Sequence, residues 1–182
     1  MIETERLLLR LPEPQDAVAA VEMLRDPETV RWNPVPAVVD VASAVEWCAR
    51  GADWADGNHA TWSVVEKASG GFVGSVSIHS INREQCDAEI GYRIAPPARG
   101  KRFAGEAVDA ASRWAFAEFG LVRIELVHAV ANPASCAVAR RAGFTLEGVL
   151  RQSFVYGDGR RYDEHLHARL RTDPAPGDLG GW

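Results

Sequence analysis

The sequence predicts one α+β domain: a mixed, mostly antiparallel central sheet of about seven strands with helices packed on both faces. Three observations carry this. The chain has 182 residues, the size of one large domain. Its apolar pattern switches repeatedly between the period of two that suits strands and the period near 3.6 that suits helices. The segments ATWSVVEK, GFVGSVSIHSI and CDAEIGYRI form a meander ahead of a long helical stretch, so antiparallel strands lead into a helical crossover.

Each element has its own signal. Glu5 to Leu11 reads as a strand, stopped by Pro12 and Pro14. Asp16 is placed to cap the helix AVAAVEML, which ends near Asp26-Pro27. VRWNPVP reads as a proline-broken loop. DVASAVEWCARGADWA reads as the second helix, with Val41, Val45, Trp47, Cys48 and Ala52 near helical spacing and Asp56-Gly57-Asn58 ending it. The meander follows, its first turn at Ser69-Gly70-Gly71. A helix is expected from about Arg102 to Phe119, then the strand LVRIELVHAV. A short helix from Pro133 to Ala142 is opened by Asn132 and closed at Gly143. TLEGVLRQSFVY and RRYDEHLHARL pair around Gly157-Asp158-Gly159. The domain is expected over 1–170, and the Pro- and Gly-rich residues 171–182 as a flexible tail.

Composition excludes several function classes. A net charge of −5 argues against a nucleic-acid partner, which would select a basic face. No apolar run approaches the ~20 residues of a membrane span. Cys48, Cys86 and Cys136 are odd in number and far apart, so neither a disulfide framework nor a zinc knuckle is indicated. With no signal-peptide pattern in MIETERLLLRLPEP, the expected location is cytoplasmic. His165 and His167 alternate on one strand face, but no third ligand is suggested, so no metal site is expected.

One stretch concentrates chemistry. RGKRFAGEA stands between the strand EIGYRI and a helix, where unpaired N–H groups and the helix dipole favour an anion. Gly100, Ala104 and Gly105 keep the backbone approachable, and Arg99, Lys101 and Arg102 add positive charge. It is neither a Walker loop nor a G-x-G-x-x-G turn. By itself it fits a phosphate cradle or a solvated basic turn equally.

The wider segment EIGYRIAPPARGKRFAGEAVDAASRWAF resembles the acetyl-CoA-binding motif of the GNAT superfamily of N-acetyltransferases, R/Q-x-x-G-x-G/A at a strand-to-helix turn. NPASCAVARRAGFTLEGVLR resembles the superfamily's second motif, and TERLLLRLPEPQDA with YGDGRRYDEHLHARL matches the branch of ribosomal-protein N-terminal (alanine/serine) acetyltransferases. The likeness runs over residues 2 to 170. The motif's glycine is Arg102 here, whose side chain either crowds the pyrophosphate or adds a charge-assisted contact.

The resemblance implies acetyl-CoA as cosubstrate, no metal, and an amine acceptor attacking directly in a ternary complex. It implies that the backbone of Tyr92, Arg93, Ile94 and Ala95 pairs with pantetheine and that the loop Arg99 to Gly105, with Phe103 at its helix start, holds the pyrophosphate. Glu89 is then the base; its residue-level alternative is a surface carboxylate paired with Arg93. Ser135 is the partner of the leaving thiolate, or simply a helix-start serine. Asn132 bonds a pantetheine amide, or is an ordinary N-cap. Arg141 reaches a coenzyme phosphate, or is a solvated helix charge. Trp32, on its loop, and Tyr156 and Tyr162, flanking the last turn, line the acceptor side. Trp47 and Trp54 fall in the same acceptor-shaping region, whereas Trp62 and Trp114 read as core. The expected acceptor is a protein or peptide N-terminal α-amine. The alternatives are a small amine such as an antibiotic or amino acid, or a non-catalytic acyl-CoA-binding module. A homodimer is compatible with all of these.

Overall fold

The computed structural model describes residues 1–33 and 40–176. Among them, eight strands form one open sheet in the order β1-β2-β3-β4-β5-β6-β8-β7. The strands are β1 (Ile2–Glu3), β2 (Leu7–Arg10), β3 (Ala60–Glu66), β4 (Phe72–Asn82), β5 (Asp87–Ile94), β6 (Arg123–Ala129), β7 (Thr145–Val155) and β8 (Arg161–Leu170). The helices are α1 (Ala17–Arg25), α2 (Pro27–Trp32), α3 (Val41–Ala52), α4 (Phe103–Glu118) and α5 (Pro133–Arg141). The expected sheet of about seven strands gains β1, two residues too short to show a period.

All neighbouring strands are antiparallel except β5 and β6, which are parallel. That pairing spans only Asp87–Glu89 against Arg123–Glu125. Beyond the Glu89–Glu125 rung the two strands part, although β5 runs on to Ile94 and β6 to Ala129. The fork between them opens the sheet in its middle.

Helices cover both faces. α4 is rich in alanine, a strong helix former with little bulk, and lies close on the sheet. It buries Ala107, Val108, Ala111 and Ala115 with Leu7, Leu9, Val64 and Ile78. Trp54, Trp62 and Trp114 meet edge-on in this core, with Trp62–Trp114 and Trp54–Trp62 centroids 5.0 Å apart. Trp54 therefore belongs to the core rather than to the acceptor region. On the opposite face α1 and α3 bury Ala17, Met23, Leu24 and Ala44 with Ala95, and Trp47 packs there too. β3 has a helix over each side and is buried along nearly its whole length.

Two local expectations are corrected. Asp16 does not cap α1 with its side chain. Its carboxylate accepts two bonds from Arg10, at 2.8 and 2.6 Å, one from Ser63 Oγ at 2.7 Å and one from the Glu13 N–H. Burial alone would raise its pKa, but these donors hold it below the usual value. Trp32 lies at the end of α2 rather than on a loop. Pro27 at the first turn and the Asp26 carboxylate accepting from the Thr29 N–H start a helix the proline-rich sequence concealed. The continuation of that stretch from 34 to 39 lies outside the described residues, as does the tail from 177. Of the expected tail, Arg171 donates its N–H to the Val122 carbonyl and Asp173 caps the Leu170 N–H.

Candidate active site

The fork opens into a cleft of about 900 Å³, walled by β5 on one side and by β6 and α5 on the other. Its two ends differ in chemistry.

At one end α4 begins. Arg102 is its N-cap and holds a left-handed conformation, φ +66°, which a side chain tolerates only at a cost. The family's glycine position is thus a glycine-like backbone carrying an arginine. Gly100, Arg102, Phe103 and Ala104 line the cleft beside the helix start, where the first-turn N–H groups have no acceptor within the helix. Arg141, at the end of α5, lines it from the other wall. The remaining loop residues do other work. The Arg99 guanidinium is bonded to Asp26, to Thr29 Oγ1 at 2.9 Å and to the Ile94 carbonyl at 3.3 Å, so it braces the loop against α2 while bordering the cleft. Lys101 turns to Glu66, 3.8 Å away, and faces a separate hollow. Gly105 packs against Arg141 Cβ, where α4 crosses α5. Ala95 is buried under α1 and gives its N–H to the Val73 carbonyl.

In the middle stand the hydroxyls and the candidate base. Tyr92 OH and Ser135 Oγ are hydrogen-bonded at 3.0 Å across the fork, either one donating. Burial pushes the Tyr92 phenol up to about 12, so it stays protonated. Asn132 uses Oδ1 to accept from the Ser135 N–H at 3.2 Å, the N-cap role, and still lines the cleft. Glu89 lines the cleft and makes no ion pair with Arg93 among the described residues. Opposite Glu89 on β4 stands His79, also in the cleft. A Cβ at position 91 would come 3.2 Å from His79 Nε2, so Gly91 leaves room for the imidazole. Burial lowers the pKa of His79, only partly countered by the charge of Glu89. Arg93 and Ile94 line the same wall; Arg93 Nε is buried with no hydrogen-bond partner, and desolvation lowers that guanidinium's pKa.

The other end is aromatic and acidic. Trp32 meets Tyr156 and Tyr162 edge-on, with centroids 5.8 and 5.6 Å apart. Trp32 and Tyr156 line the cleft; Tyr162 stands behind them, donating to Asp158 Oδ2 at 2.7 Å. This triad exists because the last hairpin turn docks on α2. The Gly157 N–H donates to the Arg31 carbonyl at 3.1 Å, and a Cβ on Gly157 would sit 1.8 Å from the Val30 carbonyl oxygen. Only glycine permits that approach. Glu28 and the buried Glu164 add carboxylates to this end. Glu164 accepts from Tyr156 OH and Ser153 Oγ, both at 2.7 Å.

His79, Glu28 and Glu164 were not anticipated. For His79 the signal was available in principle, because a fixed β4–β5 register sets it opposite Glu89. Glu28 and Glu164 come from segments far apart in sequence, and only the fold joins them.

The model of the acetyltransferase (GNAT) domain matches residues 6–145. An uncharacterised N-acetyltransferase of Bacillus subtilis, YoaA, is 28% identical over 172 residues, covering 94% of this chain and 97% of its own. Ribosomal-protein-S5-alanine acetyltransferase of Vibrio fischeri superimposes with a TM-score of 0.81 at 22% identity, covering 94% and 96% of the two chains. Spermidine N-acetyltransferase of Vibrio cholerae, solved with CoA and spermine, does so with a TM-score of 0.78 at 24% identity, covering 93% and 98%. At such identities the two structures speak for the fold. Among the described residues no helix is long and apolar enough to cross a membrane. With the forked sheet, the helix-start cradle and the family match in agreement, this chain belongs to the GNAT acetyltransferases, enzymes that carry an acetyl group from acetyl-CoA to an amine.

Proposed function

We propose that the acceptor is the N-terminal α-amine of a protein or peptide, acetylated by direct attack in a ternary complex. The observation that carries this is the makeup of the acceptor wall: an aromatic, carboxylate-bearing end beside the buried, unpartnered Arg93 Nε. An ammonium group is drawn to Tyr156, to the Trp32 face that Arg31 does not cover and to Glu28 and Glu164. A chain terminus also brings a carbonyl oxygen close to its amine, which Arg93 can take as a hydrogen-bond acceptor. A polyamine has no such acceptor and would set a second cation against Arg93.

Glu89 then takes the proton of the incoming ammonium, directly or through water, with neutral His79 as its neighbour. A backbone N–H of the Tyr92–Ala95 stretch, other than the committed one of Ala95, faces the thioester oxygen as negative charge develops there. The Tyr92–Ser135 pair donates a hydrogen bond to the departing thiolate. A phenol with a pKa near 12 stays a donor without losing its proton. Arg102, Arg141 and the start of α4 hold the coenzyme's phosphates.

The test is thiol release from acetyl-CoA with three acceptors: a peptide with a free N-terminus, the same peptide with a blocked N-terminus, and spermidine. Turnover with the free peptide alone supports the reading. Turnover with spermidine at equal or higher kcat/KM assigns the small-amine alternative instead. Acetyl-CoA binding with no turnover on any acceptor assigns a binding module.

A further inference from the structure

Beside the cleft, which His128 also lines, four metal-ligating side chains converge. His128 comes from β6, Cys136 from the first turn of α5, and His165 and His167 from β8. One donor atom from each lies within 4.8 Å of the other three. The neighbours on β8 were expected to lack a third ligand. The β6–β8 register sets His128 directly opposite His165, and α5 brings in the thiol. Cys136 Sγ is 3.8 Å from His167 Nε2. The His128 and His167 rings stack with centroids 5.2 Å apart, and His165 stands edge-on to both.

The second observation is what these groups lack. His128 Nε2 and His165 Nδ1 are buried without a hydrogen-bond partner, while His167 turns Nε2 to Cys136. His128 and His167 are 4% and 0% exposed. Two orphaned ring nitrogens side by side are costly in a core and natural around an ion. His128 is also set up as a ligand. Its Nδ1–H donates to the Ala129 carbonyl at 2.9 Å, which fixes the tautomer and leaves the Nε2 lone pair free.

We propose that His128, Cys136, His165 and His167 form a binding site for a divalent cation of the zinc class. Three imidazoles and one thiolate are a borderline-soft, tetrahedral donor set, the kind that selects Zn²⁺ over Mg²⁺ or Ca²⁺. Bonds of about 2.0–2.3 Å require the widest-spaced donors to close by roughly an ångström. Binding releases the Cys136 thiol proton to solvent. The ion touches no reacting atom, and acetyl transfer does not require it. It fastens the first turn of α5, where Ser135 adjoins Cys136, to β6 and β8. Its role is to hold that turn in place.

The test is a Co²⁺ titration of the full chain after chelator treatment, read by absorption. The expected result is one Co²⁺ per chain, with the visible bands of a tetrahedral ion and a near-ultraviolet thiolate-to-cobalt band, both erased by equimolar Zn²⁺. Cys136→Ser should remove the thiolate band, and His165→Gln should weaken binding at least ~10–100-fold, the range that loss of a mere supporting contact causes. Both residues are partly exposed, and far-UV circular dichroism checks that the variants fold. Absence of tetrahedral bands in the folded wild-type chain overturns the proposal whatever the variants do. So does a spectrum that both folded variants leave unchanged, which would put the ion elsewhere.

Discussion

The two ends of the cleft are made in different ways. The cofactor end is built mainly from one continuous run, β5, its loop and the start of α4, with Arg141 added from α5. Backbone N–H groups and a helix start supply much of its chemistry, so its shape depends on local conformation. The acceptor end is assembled from α2, β4, β5, β7 and β8, and side chains supply its chemistry. It hangs on the Gly157–Val30 approach that docks the last turn on α2. At the helix start the backbone keeps the glycine-like conformation with an arginine side chain on it. A site made of side chains changes its ligand with each substitution. The division suits an enzyme family that keeps one cosubstrate and varies its acceptor.

The sharpest break should come where the two ends meet. Glu89→Gln should lower kcat/KM by about 10²–10³-fold while leaving the acetyl-CoA Kd unchanged, measured by thiol release and by calorimetry. An equal loss of coenzyme binding would mean that Glu89 supports the fork rather than the amine. Tyr92→Phe and Ser135→Ala should each cost about 10–100-fold in kcat, and the double variant little more than either alone, because they act as one pair.

The next test separates the ends. Trp32→Ala should raise the acceptor KM about tenfold with the coenzyme Kd unchanged, since cation–π and aromatic contacts contribute about 1–2 kcal/mol. Arg102→Gly should do the reverse, weakening coenzyme binding about tenfold through loss of a charge-assisted contact. It should also raise the thermal midpoint, because glycine relieves the left-handed backbone at +66°. If either variant moves both constants equally, the ends are not independent.

The smallest effect is in the pH profile. The pKa of His79 is lowered by burial, so the imidazole stays neutral to below its ordinary 6.5. Any acid limb of kcat/KM that reports His79 should therefore lie below 6.5. Glu89 raises that pKa, so Glu89→Gln should move the residual activity's acid limb further down, and an upward move would contradict the pairing across β4 and β5.

The same contrast explains what could be read from the amino acids. The meander, the two C-terminal strands, α4 and α5 all announce themselves through period and caps, and RGKRFAGEA is a local signal for a helix-start cradle. Local signals failed where a side chain's partner lies far along the chain. Asp16 looks like an N-cap but serves Arg10 and Ser63, 47 residues on in the latter case. Arg99 looks like a phosphate ligand, and the sequence does not show that it also bonds Asp26 and Thr29, across a separation of 70 residues for Thr29. His128 and Cys136 gave no sign of meeting His165 and His167, because only the insertion of β8 beside β6 brings them together. Charge and residue type were legible; which neighbour takes up a given charge was a property of the register.

That insertion sets a schedule for synthesis. Among the described strands β8 is the last made, yet it lies between β6 and β7 and contributes Glu164 and Leu166 to the cleft. A chain emerging from its amino end has the loop from Arg99 to Gly105 out before β7 and β8 can complete the acceptor wall. Until the final strand slides into its slot, β6 and β7 have no partner edge between them and the hairpin turn has nothing to press onto α2. The acceptor wall is therefore complete only once β8 has been made and paired.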